Sequence, residues 1–331
     1  MKNFSYLLLV TLFFSACTTD FQLEGEWKDI PVVYGFISVT DTAHYVRVEK
    51  AFLEPGGDAN QIAQIPDSLY YDNATVQIKN IDTGEVFDLE KVDGNLEGYQ
   101  RDAGVFADAP NYLYKIKAEE AGFEGGENIQ IIVNTGNDEK LIKGTTKVLE
   151  PMIPSENLPN QSLALDDYNR IITIRWDHGE ETKIFDLRLI IRYKESVPNT
   201  SDYVDKSVEW LLDRRLLNDE KRTKSTFKFA AEEFYKFLGQ AIEENPAVER
   251  KNLRVDINIV GGGAEFLEYL TISDANLGIT SSNQVPVYTN LSEGYGIFTS
   301  KGYAVREGLY LNVIAQDSLE SGIYTKLLNF N

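Results

Sequence analysis

Few residues in this 331-residue chain have side chains suited to covalent or metal chemistry: one cysteine, Cys17, and two histidines, His44 and His178. A single thiol excludes intramolecular disulfides, thiolate zinc sites and a cysteine nucleophile anywhere beyond position 17. Two imidazoles cannot form a three-histidine metal centre, and a Ser-His-Asp triad would have to use one of them. Neither lies in a nucleophile elbow or a metalloprotease motif. His178, in Trp176-Asp177-His178-Gly179, reads as a turn histidine beside a core tryptophan, and His44, in HYVRVEK, begins a strand. The 52 acidic residues leave room for a glycosidase pair, which needs two acids at a set separation, but abundant carboxylates usually serve solvation. Asp166-Asp167 clusters oxygens as calcium requires, without an EF-hand loop. The runs GGG (261–263) and GYG (294–296) lack the strand-turn-helix setting and lysine of a phosphate cradle. The expectation is a non-enzymatic chain with no resident metal or cofactor. Its net charge of −20 also argues against nucleic acid as a partner, because phosphate backbones are bound by clustered Lys and Arg.

The lone thiol closes the segment MKNFSYLLLVTLFFSAC. Lys2 supplies a positive start, and Phe4 to Ala16 are apolar apart from Ser5, Thr11 and Ser15. That run is shorter than the roughly 20 residues a spanning helix needs, so 1–16 reads as a secretory signal peptide. Phe14-Ser15-Ala16-Cys17 resembles the lipobox of bacterial lipoproteins, in which cleavage precedes the cysteine and its thiol is acylated. The resemblance implies a lipidation site at Cys17 and a membrane tether, since two or three acyl chains hold a protein that one chain would not. Residues 17–29 then form an acidic tether. Asp20, Glu24 and Glu26 resemble the signal that sends lipoproteins of Bacteroidota to the outer face of the outer membrane, and they suit a solvated linker equally well.

The body must supply the fold. From Ile30, apolar runs alternate with turns: 31–38, 44–52, 74–80, 85–90, 112–118 and 128–134. In YLYKIKA, Tyr112, Tyr114 and Ile116 alternate with Leu113, Lys115 and Lys117, the period of a half-buried strand. Asp82-Thr83-Gly84 falls between two such runs as a turn. Six or more strands over 30–150 point to a β-sandwich. A proline-stiffened linker over 151–168 follows, then a β-rich domain over 169–331 opening with strands at 169–179 and 183–195. A helical insertion is expected at about 205–245. Val208, Leu211, Leu212 and Leu216 make one apolar stripe, and Ala230, Phe234, Phe237, Leu238, Ala241 and Ile242 make a second, ended by Asn245-Pro246. A strand at 253–263, a short helix at 264–274 and a bent, glycine-punctuated strand or loop within 283–315 complete the chain.

The FSAC lipobox, PVVYGFISVTDTAHYVRVEKAF, NYLYKIKAE and PVYTNLSEGYGIFTSKG together resemble a family of outer-membrane lipoproteins in Bacteroidota that carries a domain of unknown function. The resemblance implies a mainly β fold: an immunoglobulin- or transthyretin-like amino-terminal sandwich followed by a second β-rich domain with helical insertions. It also implies an outer-membrane address facing the cell exterior and a β-barrel protein as partner, with no catalytic residues to carry over. Asp41-Thr42-Ala43, Asp67-Ser68-Leu69 and Asp317-Ser318-Leu319 resemble the O-glycosylation motif of exported proteins in these bacteria, which makes Thr42, Ser68 and Ser318 candidates. Two functions compete. One is a scaffold or accessory subunit of an outer-membrane β-barrel complex. The other is a glycan- or peptide-binding surface lipoprotein feeding a TonB-dependent transporter, with Tyr70-Tyr71-Asp72-Asn73 or Tyr288 to Tyr295 as binding aromatics.

Overall fold

The computed structural model describes residues 30–51, 58–136, 141–155, 162–218, 222–275 and 287–331. The expected signal peptide, Cys17, Asp20, Glu24 and Glu26 lie outside the described residues.

The fold is mainly β, and its first half is a sandwich. It comprises β1 (Ile30–Ile37), β2 (Ala43–Ala51), β3 (Thr75–Asn80), β4 (Val86–Asp88), β5 (Glu90–Asp93), β6 (Tyr112–Lys117), β7 (Asn128–Asn134) and β8 (Ile142–Lys147). Short helical turns α1 (Ala59–Ala63), α2 (Pro66–Leu69) and α3 (Ala118–Ala121) connect them. Alternation sets the inner faces: Val76 and Ile78 on β3, and Ile129, Ile131 and Val133 on β7, meet Val33, Ile37, Val46, Val48 and Ile116 from β1, β2 and β6. Each such side chain, fully buried, stabilises by about 1.5–3 kcal/mol before entropy is counted. β4-β3-β7-β8 form one sheet, and β1, β2, β6 and β5 belong to the other. At the expected turn, Gly84 takes φ 83°, while the Asn80 side-chain oxygen accepts from the backbone N–H groups of Asp82 and Thr83 at 3.0 and 3.1 Å.

The second half adds β9 (Ile153–Pro154), β10 (Ser162–Leu163), β11 (Ile171–Asp177), β12 (Ile184–Ser196), β13 (Tyr203–Leu217), β14 (Lys224–Ala230), α4 (Ala231–Ala241), β15 (Arg250–Gly262), α5 (Ala264–Ala275), β16 (Tyr295–Leu311) and α6 (Val313–Ser321). A nine-stranded sheet in the order β13-β12-β15-β16-β1-β2-β6-β5, with β10 beside β16, runs through both halves. β16 joins them, parallel to β1 and antiparallel to β15. The inner face of β12, β15 and β16 packs on β11, β14 and α4, burying Trp176, Phe185, Phe234 and Tyr235. Tyr235 donates its hydroxyl to the carbonyls of Leu165 (2.9 Å) and Ala315 (2.8 Å), and burial pushes its pKa strongly upward.

Three expectations are corrected here. The first half of the expected helical insertion is the strand β13. Val208, Trp210, Leu212 and Leu216 share its inner face, whereas Leu211, counted in the helical stripe, is 37% exposed. Period two therefore won over period 3.6, fixed by antiparallel pairing with β12 and by Trp210 stacking on Phe237 at 5.2 Å. The second helix is real but shorter: 227–230 belong to β14, and Ile242 already has extended backbone as the C-cap, ahead of Pro246. The expected linker is packed where described: β9 pairs with β11, β10 pairs with β16, and Met152, Leu163 and Leu165 are buried.

Candidate functional site

His178 follows the end of β11 and carries the arrangement nearest to catalytic geometry. Its Nε2 lies 2.9 Å from Ser225 Oγ on β14, and its Nδ1 lies 2.9 Å from the Gly179 carbonyl. The carbonyl only accepts, so Nδ1 is the protonated nitrogen and Nε2 accepts from the serine hydroxyl. This is the hydrogen-bond pattern of a nucleophile and its base. The histidine, however, is 5% exposed against Phe185, and burial holds its pKa below the usual histidine value. With the imidazole buried and Ser225 half-buried, the pair latches the ends of β11 and β14 together. Ser225 has no sequence motif to announce it and is found only through the Trp176–Ser225 register. His44 is buried on β2, stacked on Phe123 at 5.5 Å with Nδ1 unpartnered, and burial lowers its pKa likewise.

Other candidates separate by exposure. Tyr70 and Tyr71 are 4% and 2% exposed, so they fill cores instead of presenting faces to a sugar. Asp166 pairs with Arg170, and Asp167 accepts from the Asn169 N–H at 2.9 Å. Among the described residues no group of three His, Cys, Asp or Glu gathers as a metal site would require. Thr42 is exposed in the β1–β2 connection. Ser68 and Ser318 lie in α2 and α6, and the Ser318 hydroxyl donates to the Ile314 carbonyl.

An aromatic shelf survives at the other expected place. The Tyr288 ring meets Tyr269 edge-on at 6.3 Å, Tyr269 stacks on Phe266 at 6.5 Å, and Phe266 meets Phe36 edge-on at 6.1 Å. Burial, then the charge of Glu268, push the Tyr288 hydroxyl strongly upward. Glu265 anchors α5 beneath it, its Oε2 accepting from the hydroxyls of Thr146 and Thr299 at 3.1 Å each. The exposed Tyr295 sits at the start of β16.

A site that sequence reasoning missed lies on the outer face of the nine-stranded sheet. There β12, β13, β15 and β16 form a polar groove of about 780 Å³. Alternation makes it: the odd residues 187 to 193 of β12 enter the core, leaving Arg188, Ile190, Arg192 and Lys194 for the outer face. Arg188 pairs with Asp186 and Glu209 at 2.7 Å, and Lys194 with Asp205 at 3.4 Å. Asp256, 3% exposed, takes the Gly308 N–H on Oδ1 at 2.8 Å. Its Oδ2 lies 2.7 Å from Arg192 Nη2, an ion-pair contact without hydrogen-bond alignment.

No family model matches the chain, and no curated protein matches it. Three solved structures share distant similarity. The C-terminal globular domain of an oligosaccharyltransferase from Pyrococcus abyssi is 10% identical over 69% of this chain and 45% of that one, with TM-score 0.23. The FN1-FN3 domains of chicken CNTN1 are 10% identical over 85% of this chain and 65% of theirs, with TM-score 0.18. Trypsin-activated alpha-2-macroglobulin from Escherichia coli is 9% identical over 71% of this chain and 14% of that one, with TM-score 0.19. This chain thus spans less than two thirds of each of these structures, and at such TM-scores the likeness carries no argument about function.

Proposed function

We propose that this chain is a lipid-anchored outer-membrane protein, facing the cell exterior, that serves as an accessory or scaffold subunit of a β-barrel complex. The observation that carries this reading is the nine-stranded sheet, one platform through both halves whose outer face carries ion pairs on β12, β13 and β15. A broad face patterned with charges of both signs favours orientation and choice of a protein partner. The edge strand β13 adds fifteen residues of backbone at the rim, guarded by Asp205, Lys206, Glu209 and Asp213. The anchor on Cys17 would hold this platform beside a barrel. Purification of a tagged copy from native membranes in mild detergent tests the reading. A β-barrel protein recovered in near-equal amount is expected, and recovery of the chain alone contradicts it.

The shelf of Phe266, Tyr269 and Tyr288 beside Glu268 favours the second reading, a surface module that captures glycans or peptides for a TonB-dependent transporter. Ligand arrays that register no binding while a barrel protein copurifies would decide against it.

A further inference from the structure

Strand register at the groove sets like charges opposite one another. Arg192 on β12 stands directly opposite Arg254 on β15, and one register step on, across a bulge, Lys194 stands opposite Lys251. Like charges directly opposite across strands destabilise a sheet. Among the described residues Asp256 pairs with Arg192 and Asp205 with Lys194. Arg254 has no carboxylate within ion-pair distance among the described residues: it donates from Nη1 to the Leu253 carbonyl and lies 5.9 Å from the exposed Tyr310 ring. Bulges commonly re-aim side chains at sites, and this one places Asn252 in left-handed backbone at φ 57°. Asn252 and Arg254 line both this groove and a neighbouring cavity of about 240 Å³ that reaches Tyr310.

We propose that this groove binds an acidic saccharide, with a sugar carboxylate held between the guanidinium groups of Arg192 and Arg254. Arginine is suited to that role because its planar fork meets a carboxylate with two parallel hydrogen bonds. The remaining lining fits sugar hydroxyls: Asp205 and Glu307 accept, Ser207 and Asn252 donate or accept, and the Tyr310 ring offers an apolar face. Those same acids favour a ligand that carries hydroxyl donors beside its carboxylates, which polyglutamate does not. The volume lies in the range of roughly 300–1,000 Å³ typical of small-ligand sites. This inference is independent of the Tyr288 shelf but shares the Arg192–Asp256 and Lys194–Asp205 pairs with the face offered to a barrel partner, and calorimetry on the purified protein tests it without that partner.

Titration calorimetry on the purified full-length protein in mild detergent tests it, with trigalacturonate as probe and neutral galactotriose and pentaglutamate as controls. Trigalacturonate should bind, galactotriose should bind at least about tenfold more weakly, and Arg254→Gln should raise the trigalacturonate Kd about tenfold. Arg254→Gln leaves Asp256 its partner and removes one of the two facing charges, so the variant should unfold no earlier than the parent. Absence of heat with trigalacturonate, equal affinity for galactotriose, unchanged affinity in Arg254→Gln, or tighter binding of pentaglutamate would each overturn the proposal.

Discussion

Gly296→Ala should break the seam between the two halves. Gly296 lies on β16 opposite Val33 of β1, with φ 117°, and a Cβ built there falls 1.9 Å from the Val33 carbonyl oxygen and 2.7 Å from its carbon. Backbone cannot move aside as a flexible side-chain end would. Holding an L-residue at such a φ costs about 1–2 kcal/mol, and overpacking adds about 1–3 kcal/mol, so a loss of about 3 kcal/mol is expected. Gly84→Ala is the matched control: φ is 83°, nothing lies within 4 Å of its Cβ position, and only the conformational cost of about 1 kcal/mol applies. Urea unfolding followed by tryptophan fluorescence reads the difference. With an m-value of about 3 kcal/mol/M, Gly296→Ala should lower the midpoint by about 1 M and Gly84→Ala by about a third of that. Equal midpoint losses for the two variants would refute the close parallel approach of β1 and β16.

The strand at β13 predicts that Trp210→Ala costs about 2–3 kcal/mol, whereas Leu211→Lys stays within about 0.5 kcal/mol; a helix there would make Leu211→Lys the damaging change, and urea midpoints distinguish the two. Arg250, buried, donates from Nε to Glu195 at 2.9 Å and from Nη1 to the Leu328 carbonyl at 2.7 Å. Its replacement by Ala strands Glu195 and should cost about 3–5 kcal/mol in the same assay, with little rescue by Lys. For His178, burial lowers the folded-state pKa beneath the unfolded value of 6.5, so the unfolded chain takes up a proton first as pH falls. Its stabilising contribution is full above pH 6.5 and is lost as pH drops through the folded value. Thermal unfolding between pH 7.5 and 5.5 should show that decline, and His178→Gln should make it shallower, with buried His44 supplying a remainder of the same sign; an equal slope in the variant would contradict the assignment.

Local periodicity made much of the sandwich legible. ATVQIKN and NIQIIVN became β3 and β7, which place Val76, Ile78, Ile129, Ile131 and Val133 inward. The glycines within 283–315 marked a bent strand or loop without revealing what Gly296 packs against. β13 misled because adjacent Leu211 and Leu212 satisfy a helical stripe and a strand face at once, and only pairing with β12 separates them. β8 was obscure for the opposite reason: its inward residues after Ile142 are Gly144 and Thr146, which carry little apolar signal. The joining of β1 to β16 links residues at opposite ends of the chain, and no local pattern encodes it. The groove is invisible for the same reason, since Arg192 and Arg254 become neighbours only through the β12–β15 register.

The role in a barrel complex is tested most directly by amine cross-linking of intact cells, followed by identification of peptides joined to exposed lysines such as Lys206 on β13 and Lys224 on β14. Links from these lysines to one outer-membrane β-barrel protein, lost together with membrane attachment in Cys17→Ser, are the predicted result. Links only within the chain, or unchanged membrane attachment in Cys17→Ser after a high-salt wash, would contradict it.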